Sequence, residues 1–258
     1  MDLKGLAKPG EPTVTVRGGS WKRLDFAKAR MASLRLFDVM IEDCCFDGAD
    51  LSELRMWGTR ILRTSFRGAD LRGAALGGVE NGKRNLFQDV DFTKADLRRT
   101  SHQSSDMVRC LFSNTKLKQA EFRGTVFVDC TFEGKLEEVI FYRVPTDAKH
   151  LPPNEMKDVD LSRAKLRWAA FRGLDMDRVQ WPEDGEHLLI RDYARTLTRV
   201  IDTFKGRTDL GSKGFTAVFS DMKKWVGPKQ TVGIISKADV LDIAGEAGLR
   251  ELIGLLPA

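Results

Sequence analysis

Residues 49–73 read ADLSE LRMWG TRILR TSFRG ADLRG, five consecutive segments of five residues that share one pattern. The third residue of each segment is large and apolar, and the first is small or apolar. A period of five fits neither the period of about 3.6 of an amphipathic helix nor the period of 2 of a strand. The stretch is therefore an internal repeat, and a repeat of this kind predicts units that stack on one another.

The same pattern extends along most of the chain. The large apolar position recurs every five residues in three runs, 26–76, 87–132 and 161–181. A glycine-rich stretch at 77–86 and a proline-containing stretch at 143–157 separate the runs, and we interpret the first as a projecting loop or a bulge. We predict a repeat domain over 21–181, interrupted near 77–86 and 143–157.

These residues resemble the pentapeptide-repeat family, in which a small residue, a polar residue, a Leu or Phe and two further polar residues repeat in tandem. The resemblance covers about three-fifths of the chain. It implies a mainly β fold, a right-handed quadrilateral β-helix with four pentapeptides per coil and here about eight coils. The first and third residues of each repeat are expected to point inward. Such a repeat cannot close a core alone, so its coils must stack.

The two flanks lack the five-residue period. Residues 1–20 contain a short β-branched run, and we predict an N-terminal cap segment that pairs with or covers the first coil. Residues 182–258 show helical periodicity, with a first helix capped by Asp184 and a last one announced by Ser236. We predict an α-helical C-terminal segment that caps the last coil. The resemblance also implies a homodimer through this segment, because family members often dimerise there.

Composition limits the location and the class of partner. The chain has 258 residues, 42 % hydrophobic and 31 % charged, and neither a signal-peptide core nor a run long enough to span a membrane. We expect a cytoplasmic protein without a membrane partner. Its net charge of +5 is spread along the chain, whereas nucleic-acid binders concentrate positive charge in a patch. This distribution argues against direct nucleic-acid binding.

No residue set predicts catalysis, a cofactor or a metal. His102, Cys44, Cys110 and Cys130 occupy inward repeat positions, and no two of them have the Cys-x-x-Cys spacing of a zinc site. We expect reduced thiols and a buried imidazole that Thr100 hydrogen-bonds. No nucleophile or phosphate loop stands out, so the sequence predicts a non-enzyme.

Several outward positions carry residues suited to binding. Phe37 and Trp57 lie 20 residues apart, which places them on adjacent coils of one outer face. Exposed aromatics in register indicate an interface, and a terminal segment of the same chain that packs over them is the alternative. The predicted interaction surface comprises Phe37, Trp57, Lys83, Arg84, Arg191, Arg195 and Arg199.

The resemblance narrows function only in part. The best understood family members protect type II topoisomerases such as gyrase from inhibitors, and they mimic DNA in shape and acidic surface. This chain shares the rod but is basic, and a basic rod is a poor mimic of DNA. We therefore expect a protein-binding rod or scaffold. Topoisomerase protection, as antibiotic resistance or self-resistance, is the alternative, and direct nucleic-acid binding is the third hypothesis.

Overall fold

Parallel strands stack in coils along the chain. The computed structural model describes residues 14–144 and 152–256. Thr15–Arg17 pairs in parallel with Arg35–Phe37, which pairs in the same register with Arg55–Trp57. Twenty residues therefore complete one coil, and the mainly β fold class predicted from the repeat is confirmed.

The strands of the coils are short. They are β1 Thr15–Arg17, β2 Ser20–Lys22, β3 Arg35–Phe37, β4 Met40–Glu42, β5 Arg55–Trp57, β6 Arg60–Leu62, β7 Val79–Glu80, β8 Lys83–Gln88, β9 Ser105–Val108, β10 Leu111–Ser113, β11 Glu121–Arg123, β12 Val126–Val128, β13 Thr131–Glu137, β14 Ile140–Tyr142, β15 Asp160–Arg167 and β16 Ala170–Arg172.

Four columns of inward side chains fill the rod. We number the four faces of the rod by an inward residue of one coil: face 1 by Leu36, face 2 by Ile41, face 3 by Phe46 and face 4 by Leu51. On face 3 the column consists of phenylalanine rings whose neighbouring centroids lie 4.5 to 5.5 Å apart: Phe26, Phe46, Phe66, Phe92, Phe112 and Phe132. These side chains are buried, as the repeat predicts.

Most corner residues of the described coils have a left-handed backbone. Glu53 has φ 58°, Arg63 has φ 45° and Gly48 has φ 65°. This conformation costs a residue with a side chain roughly 1–2 kcal/mol. The coil offsets that cost, because the corner amide donates to the next coil, as Arg63 N does to the Gln88 carbonyl at 2.9 Å.

The first interruption is a hairpin that lies against the rod. β7 pairs antiparallel with the start of β8, and the coil offset rises from 20 residues to 26 at the Arg60–Leu86 pair. The interpretation as a projecting loop is wrong: Gly78 packs so closely on Trp57 that a Cβ on it would lie 2.6 Å from Trp57 Cδ1. Close packing therefore holds the loop on face 1.

Parts of two predicted segments lie outside the described residues. Residues 1–13 of the N-terminal segment and residues 145–151 of the second interruption are not described. Within the described part, β1 and β2 already pair with β3 and β4 of the following coil. Among the described residues, the strand pairing between coils begins at Thr15.

The C-terminal segment mixes strands and helices. Its elements are β17 His187–Arg191, α1 Tyr193–Phe204, α2 Leu210–Lys224, β18 Val232–Ser236 and α3 Lys237–Leu255. The antiparallel β17–β18 pair was not predicted.

The predicted cap at Asp184 is wrong, because its carboxylate binds His187 Nδ1 at 2.9 Å. The predicted cap at Ser236 is confirmed, since its Oγ accepts from Ala238 N. None of these three helices is both long and apolar enough to cross a membrane.

Side chains of this segment finish the hydrogen bonding of the last coil. Leu166 N donates to His187 Nε2 at 3.0 Å, and Trp168 N donates to Asp239 Oδ2 at 2.8 Å. Gln230 accepts from Gly173 N through its Oε1 and donates through its Nε2 to the Phe171 carbonyl. In earlier coils the next coil makes such bonds. The segment therefore caps the last coil, as expected for an exposed strand edge.

The inward columns predict a sharp contrast between adjacent residues. Phe66 is buried between Phe46 and Phe92, whereas the neighbouring Arg67 side chain is 53 % exposed. Phe66→Ala should lower the free energy of unfolding by about 3–5 kcal/mol because it leaves a cavity. Arg67→Ala, the control, should cost less than about 0.5 kcal/mol. Urea unfolding measures both, and equal losses would contradict the inward assignment of Phe66.

Candidate interaction face

Two outward aromatic side chains on face 1 stack on each other. The rings of Phe37 and Trp57 lie 4.4 Å apart at 6°, as their spacing of one coil predicts. The Arg17 guanidinium covers Phe37 at 4.0 Å from the ring centroid, and Gly78 packs on Trp57. Both aromatics are half-buried. The chain itself thus covers the two ends of the stack, and its outer edge remains accessible.

A second aromatic cluster lies at the far end of face 1, and the sequence did not reveal it. Arg123 lies over the Tyr142 ring at 4.2 Å, and Arg172 lies 5.2 Å from Tyr142 and 4.5 Å from Trp225. Trp225 comes from the end of α2 and meets Tyr142 edge to face. The spacing signal is lost here, because the coil offset is 19 residues at the Phe122–Phe141 pair and 30 at the Phe141–Phe171 pair.

Face 1 is basic. Its outward positions hold six arginines, Arg17, Arg35, Arg55, Arg123, Arg143 and Arg172, and two acidic residues, Asp38 and Glu121. Asp38 is paired with Lys83 of the hairpin at 2.8 Å, and Glu121 with Arg123 at the same distance. Arg55 pairs with Glu53 of face 4 at 3.6 Å and Arg172 with Asp221 of α2 at 3.5 Å. Within the described residues, Arg17, Arg35 and Arg143 have no acidic partner and supply the excess positive charge of this face.

The two predicted basic residues of the hairpin have opposite roles. Lys83 is exposed, but Arg84 is only 7 % exposed and forms an ion pair with Asp106 at 3.0 Å. Arg84 also donates to the carbonyls of Ser104, Ser105 and Gly124, and its burial lowers its pKa. The assignment of Arg84 to the interaction surface is wrong, because its guanidinium is buried and its hydrogen bonds go to groups of the same chain.

The predicted arginine stripe is not continuous. Arg191 ends β17, whereas Arg195 and Arg199 belong to α1. Arg195 lies 3.6 Å from Asp192, and Arg199 donates to the Leu255 carbonyl at 3.0 Å. The helical spacing that suggested one stripe is wrong at Arg191, because the chain there is a strand.

The buried histidine is a core residue. Thr100 Oγ1 donates to the Leu97 carbonyl and lies 2.9 Å from His102 Nε2, so His102 donates to it, as the sequence predicted. His102 Nδ1 has no hydrogen-bond partner within the described ranges, and burial lowers the pKa of His102 to about 3. Within residues 14–144 and 152–256, no group of His, Cys, Asp or Glu has the arrangement of a metal site.

A family model described as pentapeptide repeats matches residues 44–79 and 103–134 with eight copies. Both ranges fall within the stacked coils. The pentapeptide repeats predicted from the sequence are thus confirmed at these residues. No curated protein matches it.

Several solved structures are similar to this chain at low identity. QnrB1, a plasmid-mediated fluoroquinolone resistance protein, is 12 % identical over 62 % of this chain and 92 % of its own, with a TM-score of 0.33. A pentapeptide-repeat protein of the Arabidopsis thaliana thylakoid lumen is 20 % identical over 42 % and 67 %, with a TM-score of 0.30. HetL from Nostoc sp., involved in heterocyst differentiation regulation, is 15 % identical over 66 % and 86 %, with a TM-score of 0.21.

The covered aromatic stack predicts a contribution to stability. Phe37→Ser combined with Trp57→Ser should lower the free energy of unfolding by at least about 2 kcal/mol, because stacking and burial are lost together. Val108→Ser combined with Val128→Ser is the matched control, since these residues pair at outward positions of face 2. It should cost less. If the aromatic variant unfolded at the same urea midpoint as the wild type, the stack would contribute nothing to the stability of the fold.

Burial of His102 predicts a loss of stability in acid. The unfolded histidine has a pKa near 6.5, so between about pH 6.5 and about pH 3 only the unfolded chain binds this proton. Stability should therefore fall as the pH drops through this window, by about 2 kcal/mol between pH 7 and pH 5 from this group. His102→Leu should remove that component while other titrations cancel in the comparison. Identical pH profiles for the two proteins in urea unfolding would contradict it.

Proposed function

We propose that this chain is a non-catalytic, cytoplasmic pentapeptide-repeat rod that binds a protein partner through face 1. The composition of that face carries the proposal. Arginine and aromatic side chains lie together near both of its ends: Arg17, Phe37 and Trp57 at one end, and Arg172 with the exposed Trp225 at the other. Tryptophan, tyrosine and arginine are the residues that dominate the binding energy of protein interfaces.

The charge of face 1 favours an acidic partner surface. Arg35 and Arg55 are exposed and occupy the same outward column on adjacent coils. The planar guanidinium binds carboxylates with two parallel hydrogen bonds, which an ammonium group cannot do. A surface rich in Asp and Glu would therefore meet several guanidinium groups at the coil spacing of about 4.8 Å.

Topoisomerase protection is the second candidate. The positive net charge of the rod argues against a mechanism in which the rod mimics DNA. Residues 21–181 carry four more basic than acidic residues. Such a rod would be repelled by a basic DNA-binding groove. Supercoiling by purified gyrase in the presence of a poison tests this candidate directly, and restored supercoiling would place it above the acidic-partner proposal.

Photo-crosslinking in the cells of origin tests the proposal. A photo-reactive amino acid replacing Trp57 should capture one dominant protein. Arg35→Glu combined with Arg55→Glu should reduce that capture at least about tenfold, because reversal puts like charges opposite each other. Lys28→Glu combined with Lys94→Glu, exposed corner residues of face 3, is the control with the same change in net charge.

Two outcomes would contradict the proposal. Equal capture by the face 1 and face 3 charge variants would show that face 1 is not the binding surface. Capture of nucleic acid instead, with an affinity that falls steeply between 50 and 200 mM salt, would favour the third hypothesis.

A further inference from the structure

An apolar cleft of about 390 Å³ lies between the last coil of the rod and α2. The rod contributes Leu166, and β18 contributes Ile234, which belongs to the rod core. Val218 and Met222 of α2 form the opposite wall. A concave, mainly apolar space of this size falls within the range of small-molecule sites.

Trp168 lines the mouth of this cleft. It occupies a corner of face 4 with φ 52° and is 39 % exposed. Corners of face 4 on earlier coils hold polar residues or glycine: Ser33, Glu53, Gly73, Arg99, Gln119 and Glu138. An aromatic side chain at this corner departs from the pattern of the face 4 corners named above, and it lines the cleft. The Trp168 amide is held by Asp239, so the indole position is built into the cap.

The charged side chains in the cleft lining are carboxylates. Asp239 uses Oδ1 for Arg167 and Oδ2 for Trp168 N, so both of its oxygens are engaged. The Asp221 side chain is 53 % exposed and reaches Arg172 Nη2 only at 3.5 Å. Asp221 therefore retains acceptor capacity at the rim, and a cation complements the cleft better than an anion does.

We infer that this cleft binds a small organic molecule with an apolar, planar body and one protonated amine. The body would lie against Leu166, Met222 and the Trp168 indole, and the amine would face Asp221. The cleft lies beside the C-terminal cap, and this inference stands independently of the partner proposed for face 1.

Three probes that share one naphthyl ring system and differ in charge test the amine assignment. Naphthylmethylamine, naphthylmethanol and naphthoate are each titrated into the full chain by calorimetry. The amine should bind about threefold tighter than the alcohol, as expected for one partly exposed ion pair, and the acid should bind most weakly. Equal affinity of amine and alcohol would overturn the amine assignment, and no binding of any probe would overturn the site.

Two variants locate the binding. Ala217→Phe places a ring in the cleft from α2 and should weaken every probe at least about tenfold, whereas Ala194→Phe on the exposed side of α1 should not. Asp221→Asn should reduce the amine to the affinity of the alcohol, with Asp202→Asn on α1 as its charge-matched control. Unchanged binding in Ala217→Phe, at an unchanged melting temperature, would overturn the location. An amine preference that survives Asp221→Asn would overturn the role of Asp221.

Discussion

The hydrogen-bond ladder between coils is the constraint on which the rest of this rod depends. Each coil uses its backbone donors and acceptors on its neighbours, as in the Phe66 amide that donates to the Asp91 carbonyl at 2.8 Å. Buried backbone groups left without partners cost free energy. Wherever the ladder stops or changes step, side chains must therefore take over the role of the missing backbone.

Three breaks in the ladder are repaired in this way. At the first, the buried Asn85 accepts from Thr59 N and donates to the carbonyls of Met56 and Leu76. At the second, the buried Asn154 accepts from Phe127 N and Met156 N. At the end of the rod, residues of the C-terminal segment, Gln230 among them, do the same work. Amide side chains suit the task because each carries both a donor and an acceptor. Asn85 and Gln230 use both groups, whereas Asn154 Nδ2 has no partner within the described residues.

This logic explains what could be predicted from the sequence. The inward residues follow from periodicity, because each repeat makes the same demand at the same position, as at Phe66 and Leu71. Each break in the ladder occurs at one place in the sequence, so the side chain that compensates for it, such as Asn85, is not part of a repeating pattern. The helical periodicity of residues 182–258 does not reveal β17, because Leu189 fits the spacing of a helix face with Tyr193 and Leu197 although it lies in a strand. Lys83 and Arg84 differ only through the packing of the hairpin.

Face 1 differs from other parts of the rod surface in how far its charged side chains form ion pairs. Along the corner between faces 2 and 3, arginine and aspartate from adjacent coils pair: Asp43 with Arg63, Asp89 with Arg109, and Asp158 with Arg178 at 2.6 to 2.7 Å. The ion pairs also hold the pKa values of Asp43 and Asp89 below their usual range. Such exposed pairs add little stability, but they cancel the field along that corner. On face 1, by contrast, Arg17, Arg35 and Arg143 have no acidic partner within the described residues, whereas Arg55, Arg123 and Arg172 are paired. An acidic partner approaching the rod is therefore steered towards this face, where the aromatic side chains also lie.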